Sequence, residues 1–213
     1  MMTLYTWKTP NGRKPAVALE ELGLPYTVKP VDISSGAQRD ADYLRLNPNG
    51  KIPTLVDEEG VDRRTVVFET AAILEYLAAK TGRLLPADGP ARATAMSWLT
   101  WSVASFAPNL GRWGGFRRAD PPNPAALKTL TEEAVRLFGV LERRLGEAPM
   151  LAGEYGMADI STYTWAQGVL PMLHEHAGEA LGPTPNTERW LAEISARPAV
   201  QRGYAATDLK SET

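Results

Sequence analysis

The chain has 213 residues, enough for one large domain or two modest ones, each with a buried core. Hydrophobic residues make up 44% and charged residues 23%, the mix of an ordinary globular protein, which excludes a fibrous or disordered chain. Lys and Arg number 23 against 25 Asp and Glu, so a formal charge of −2 gives no global attraction for nucleic acid or an anionic membrane, and any anion must be held by a local site.

There is no cysteine, which excludes disulfides, thiolate zinc sites and a nucleophilic thiol of the protein's own. Sulfur chemistry would have to use a ligand's thiol. The opening Met1-Met2-Thr3-Leu4-Tyr5-Thr6-Trp7-Lys8 lacks the basic flank and long apolar core of a signal peptide, and no later run has the length of a membrane span, so a cytoplasmic protein is expected.

Thr3 to Trp7 is short, β-branched and aromatic and reads as a strand; the turn Thr9-Pro10-Asn11-Gly12 then opens an apolar-periodic helix from Arg13 to Leu22. Gly23 stands where a helix takes a left-handed C′ glycine, and Tyr26 to Val31 is a second strand, completing a βαβ unit. A brief helix from Asp40 to Leu46 ends at Asn47-Pro48-Asn49-Gly50. Strands at Thr54–Val56 and Thr65–Phe68 follow, with the acidic Asp57-Glu58-Glu59-Gly60 predicted as the hairpin turn between them. Thr70 to Lys80 carries Ala72, Ile73, Tyr76 and Leu77 at helical spacing. The order β-α-β-α-β-β-α is that of a mixed-sheet α/β domain over residues 1–81.

Residues 82–89, Gly-Arg-Leu-Leu-Pro-Ala-Asp-Gly, break regular structure and read as a linker. Beyond it no strand pattern occurs. Helices are predicted from Pro90 to about Val103, about Ala125 to Leu145, Ala158 to about Leu173, Thr187 to Ala196 and, briefly, after Pro198, so residues 90–213 are expected to form an all-α domain. Asn109 to Arg118, with three glycines, two aromatics and three arginines, reads as a flexible lid or pocket wall. Asp159 is placed to return a capping-box hydrogen bond to Gly156. His174 and His176, two apart, face different sides of a helix, and no metal site is expected there.

Four motifs stand in order across the chain: Thr9-Pro10-Asn11-Gly12, Asn47-Pro48-Asn49-Gly50-Lys51-Ile52-Pro53, Phe68-Glu69-Thr70-Ala71-Ala72-Ile73 and Gly156-Met157-Ala158-Asp159-Ile160. Together they resemble the cytosolic glutathione transferases, and the Thr-Pro-Asn-Gly turn is similar to that of the nu-class, glutathione-dependent disulfide-bond oxidoreductases. The resemblance covers nearly the whole chain. It implies a thioredoxin-like first domain that binds glutathione as co-substrate, an all-helical second domain, a homodimer, no metal, and a small disulfide or electrophile as second substrate.

The resemblance also assigns roles. Ile52-Pro53 is implied to be cis, presenting the Ile52 backbone to the cysteinyl part of glutathione as an added strand would. Taken alone, the pair reads as a trans proline opening an edge strand. Glu69 and Thr70, at a strand-to-helix junction, are implied to hold the γ-glutamyl end, Thr70 its α-carboxylate and Glu69 its ammonium; helix capping would use the same orphan groups. Gln38, Asn49 and Lys51 are candidates for the glycine carboxylate. Thr9 and Asn11 are the catalytic candidates, donating to the sulfur so that the thiolate is favoured, although Pro-Asn-Gly is also an ordinary turn and Thr an ordinary N-cap. Trp7, Arg112, Trp113 and Phe116 are expected at the second-substrate pocket. Two departures from the family stand out: the histidine-rich stretch common near Asn109–Arg118 is missing, and Lys128-Thr129 replaces an arginine-tyrosine pair whose arginine helps hold a second glutathione. Lys128, Arg112, Arg117 and Arg118 are the cations available in its place. Three functional readings are open on sequence alone: disulfide reduction by the glutathione thiolate, conjugation or peroxide reduction by the same thiolate, or a non-catalytic glutathione-binding module.

Overall fold

The computed structural model describes residues 1–60 and 63–208, at Arg63 the backbone only. The chain divides into two compact units, one of Met1–Ala87 together with the chain from Ala196 onward, the other Asp88–Ser195.

In the first unit β1 (Met2–Thr6), α1 (Pro10–Leu22), β2 (Tyr26–Pro30), α2 (Ala41–Leu46), β3 (Thr54–Gly60), β4 (Arg63–Phe68) and α3 (Thr70–Thr81) follow one another, with a 3₁₀ turn at Ala37–Arg39. The sheet order is β2-β1-β3-β4; β1 runs parallel to β2 and antiparallel to β3, and β3 antiparallel to β4. Leu4 and Leu55 pair across the β1–β3 ladder and are fully buried, as are Ala16 to Leu19 of α1 and Ile73, Leu74 and Leu77 of α3. Alternation on the strands and the apolar stripes of the two helices thus meet in one core. Gly23, at φ +68°, ends α1, and the Leu24 N–H returns to the Leu19 carbonyl, the left-handed termination that only glycine adopts without strain.

The predicted hairpin turn at Asp57–Gly60 is instead the second half of β3. Asp57 is tolerated inside the strand because its carboxylate is paired: Lys80 Nζ lies 2.8 Å away, Tyr76 Oη donates at 2.7 Å and the Glu59 N–H at 3.0 Å. Burial alone would raise the Asp57 pKa, but these donors hold it below the usual carboxylate value.

The final helix, α9 (Pro198–Thr207), was expected in the helical domain and belongs to the first unit. It packs on α1 so closely that a Cβ at Gly203 would stand 2.7 Å from the Val17 backbone. Complementary charges flank that contact: Arg197 is bidentate to Glu21 at 2.6 and 2.9 Å, Arg202 meets Glu20 at 2.7 Å and Arg13 meets Asp208 at 2.8 Å.

The second unit is helical: α4 (Gly89–Trp101), α5 (Ala107–Arg117), α6 (Pro124–Glu147), α7 (Met157–Leu181) and α8 (Pro185–Ser195), with a π-helical turn at Ser102–Phe106 joining α4 to α5. Helix α7 runs beyond the expected Leu173, past a non-helical Ala177. The segment Asn109–Arg118 is not a loose lid: α5 covers nearly all of it, because Leu110 and Trp113 are fully buried and outweigh the low helix propensity of three glycines. Trp113 Nε1 donates to Thr131 Oγ1 at 3.1 Å.

Asp159 makes the expected capping-box hydrogen bond to the Gly156 N–H and more. It is completely buried and accepts from the Gly156 N–H at 3.1 Å, the Leu151 N–H at 3.0 Å and Trp190 Nε1 at 2.9 Å. Burial raises its pKa to about 6 despite these donors. Asp159→Ala strands all three donors, at roughly 1 kcal/mol or more each. Thermal unfolding should show the midpoint lowered by about 10 °C at this chain length.

Candidate functional site

Because β1 and β4 point the same way and β3 runs against both, the C-terminal ends of β1 and β4 and the start of β3 lie at one edge of the sheet. Three of the motifs are at those ends: the Thr9 turn after β1, Ile52-Pro53 before β3 and Glu69-Thr70 after β4. Topology alone brings together residues as far apart in the chain as Thr9 and Thr70.

Thr9 is the N-cap of α1. Its backbone is extended, its Oγ1 accepts from the Gly12 N–H at 3.0 Å, and Pro10 occupies the first helical position, where no N–H is needed. The capping role uses a lone pair on Oγ1, so the hydroxyl hydrogen is still available to donate. The turn is locked against β1: Thr6 Oγ1 donates to the Gly12 carbonyl at 2.9 Å, and a Cβ at Gly12 would stand 2.0 Å from the Trp7 carbonyl oxygen. Asn11 sits half-buried on the first turn of α1, where the positive end of the helix dipole lies.

The Ile52–Pro53 bond is cis, as the resemblance implied. The preceding loop is held from within: Tyr43 Oη and Asn47 Nδ2 both donate to the Lys51 carbonyl, at 2.8 and 2.6 Å, and Asn47 Oδ1 accepts from the Asn49 N–H at 3.0 Å. Among the described residues the Ile52 backbone groups take no backbone partner.

At the head of α3, Glu69 occupies the N-cap position at φ +69°, a region that L residues seldom adopt. Its side chain does not cap the helix; Oε1 accepts from Asn49 Nδ2 at 3.0 Å. The helix closes its first bond from the Ile73 N–H to the Glu69 carbonyl, leaving the amides of the first turn, with the largely buried Thr70, for another acceptor. Asn49, expected at the glycine end of the ligand, thus donates to the side chain of Glu69.

Gln38, in the 3₁₀ turn, is half-buried with its Oε1 enclosed and without a partner among the described residues, while Lys51 is exposed. Trp7 is buried beside the Thr9 turn. Of the pocket residues expected in the second unit, Arg112 and Phe116 are exposed on α5 and Trp113 is in the core. No helix among the described residues is long and apolar enough to cross a membrane, and no group among them could hold a metal ion.

A family model for the glutathione S-transferase N-terminal domain matches residues 9–80. Over its full length the chain is 36% identical to the disulfide-bond oxidoreductase YfcG of Escherichia coli, covering 98% of that protein. The chain belongs to the glutathione transferase superfamily. Among solved members, a glutathione transferase from Burkholderia graminis with two glutathione molecules bound per subunit superposes with a TM-score of 0.92 at 36% identity, over 98% of this chain and 89% of that one. One from Pseudomonas putida with a glutathione disulfide bound per subunit gives 0.90 at 32%, over 95% and 90%.

Within this glutathione transferase fold, one residue was missed in the sequence. Lys14 lies on α1, is completely buried, and its Nζ has no hydrogen-bond partner among the described residues. Its only sequence signal is a lysine on the helix face that otherwise carries Val17, Ala18 and Leu22. Burial lowers the ammonium's pKa from 10.5 to about 7, against the opposing pull of the Glu69 charge. The folded value lies below the unfolded one, so between about pH 7 and 10.5 the unfolded chain binds the extra proton and stability rises with pH. Chemical denaturation of the wild type and Lys14→Met should differ in this window. The wild type gains up to about 1.4 kcal/mol per pH unit relative to the variant.

Proposed function

We propose that the first compact unit binds glutathione across the three converging motifs and that the bound thiolate carries out thiol–disulfide exchange. The observation that carries the reading is the head of α3: helix amides left without a side-chain cap, a threonine hydroxyl beside them, and a glutamate held away from the helix by Asn49. Such a site suits an α-amino acid head group, its carboxylate on the amides and Thr70, its ammonium on Glu69. The Ile52 backbone takes the cysteinyl residue in strand fashion. Gln38 and Lys51 serve the glycine carboxylate.

This placement delivers the sulfur to the head of α1. A free thiol, pKa about 8.5, is mostly protonated at neutral pH, and donors aimed at the sulfur favour the reactive anion. The Thr9 hydroxyl, the Asn11 amide and the dipole of α1 supply that stabilisation. The thiolate attacks one sulfur of a disulfide, a new S–S bond forms as the old one breaks, and the displaced thiolate takes up a proton. A second glutathione thiolate attacks the mixed disulfide, releasing glutathione disulfide and the second reduced thiol. The name of the Escherichia coli relative and the glutathione disulfide in the Pseudomonas putida relative support this reaction. An electrophilic carbon in place of the disulfide gives conjugation by the same thiolate. Nu-like class, homodimeric assembly and a cytoplasmic location belong to the same proposal.

Purified protein with glutathione should reduce 2-hydroxyethyl disulfide. Asn11→Ala should lower kcat about tenfold or more while glutathione affinity holds, since it removes a donor to a charged atom. Thr70→Ala should instead weaken glutathione binding by about tenfold. Tight glutathione binding with undetectable turnover would select the non-catalytic module.

A further inference from the structure

Lys14 is unexplained by packing. A buried ammonium without a partner costs stability that an apolar side chain of similar volume would not, so nothing in the core calls for a lysine. The charge that acts on it is Glu69, at the head of α3. The other charged groups around α1 are engaged elsewhere or lie along the helices. On α9 and just before it, Arg202 and Arg197 pair with Glu20 and Glu21, and Asp208 pairs with Arg13. On α3, Lys80 pairs with Asp57 near the C-terminal end and Glu75 is half-buried with interactions of its own. Strand β1 carries no charged side chain.

An amino-acid head group at this site has a built-in conflict. Glu69 attracts its ammonium and repels its carboxylate, which must dock one residue away on Thr70. Thr70 is largely buried whereas Glu69 is exposed, so the carboxylate occupies the deeper position. A buried positive charge near the head of α3 offsets that repulsion where solvent cannot screen it.

We infer that Lys14 is a specificity-determining residue of the γ-glutamyl subsite, its buried ammonium acting through the head of α3 as the counter-charge for the ligand's α-carboxylate. The inference rests on the glutathione reading above. Bringing the carboxylate in favours the protonated lysine, so binding takes up protons near neutral pH, where an ordinary lysine would take up none.

The test uses the full chain and S-methylglutathione, whose sulfur does not titrate, beside its analogue lacking only the α-carboxylate. Calorimetry in two buffers of different ionisation enthalpy should show proton uptake with S-methylglutathione near pH 7.5 and none with the analogue. Affinity of the wild type for S-methylglutathione should fall by several-fold from about pH 6.5 to about pH 8.5. Lys14→Met should weaken S-methylglutathione by about tenfold at the lower pH, flatten the pH profile and leave the analogue within about twofold. Absence of proton uptake by the wild type overturns the inference, as does equal weakening of both ligands in the variant. Failure of the wild type to bind S-methylglutathione at all would instead remove the glutathione reading itself.

Discussion

The first turn of α3 cannot satisfy its own backbone amides, and the fold leaves that need to something outside the helix. Most helices meet it with a Ser, Thr, Asp or Asn at the N-cap. Here the N-cap is a glutamate in a left-handed conformation whose carboxylate is tied to Asn49, so the amides stay open. The loop carrying Asn49 is itself pinned by Tyr43 and Asn47 to the Lys51 carbonyl and leads into the cis Ile52–Pro53 bond and β3. The head of α3 and the loop entering β3 are thus one hydrogen-bonded assembly.

The rest of the first unit supplies the rigidity this requires. Gly12 lets α1 start against the Trp7 carbonyl, fixing Thr9 and Asn11 relative to β1, and α9 clamps the other face of α1 through Gly203 and three ion pairs. The two buried acids and the buried lysine differ in kind. Asp57 and Asp159 each collect three donors and are structural. Lys14 collects none, an expense that stability does not explain.

Element order and most helix boundaries were legible from periodicity and from Gly23, Pro53 and the Asp159 side chain that accepts from the Gly156 N–H. The misreadings share a cause. Asp57 to Gly60 read as a turn because acidic residues and glycine are turn formers, yet Lys80 and Tyr76, from a helix twenty residues on, neutralise Asp57 within the strand. Asn109 to Arg118 read as loose because glycine disfavours helices, yet Leu110 and Trp113 bury it. Helix α9 read as the end of the helical domain because it follows four helices in sequence; its small Gly203 and its arginines match α1 instead.

The sequence by itself determined the two-part α/β and all-α architecture, the need to borrow a thiol, and the four motifs, because each depends on composition or on neighbours within a few residues. Only the tertiary structure decided that Thr9 caps α1 while retaining a hydrogen to donate, that Asn49 donates to Glu69, and that Lys14 is buried with no hydrogen-bond partner among the described residues. Those facts depend on hydrogen bonds and burial between segments distant along the chain, and such long-range pairings leave no periodic trace in a single sequence.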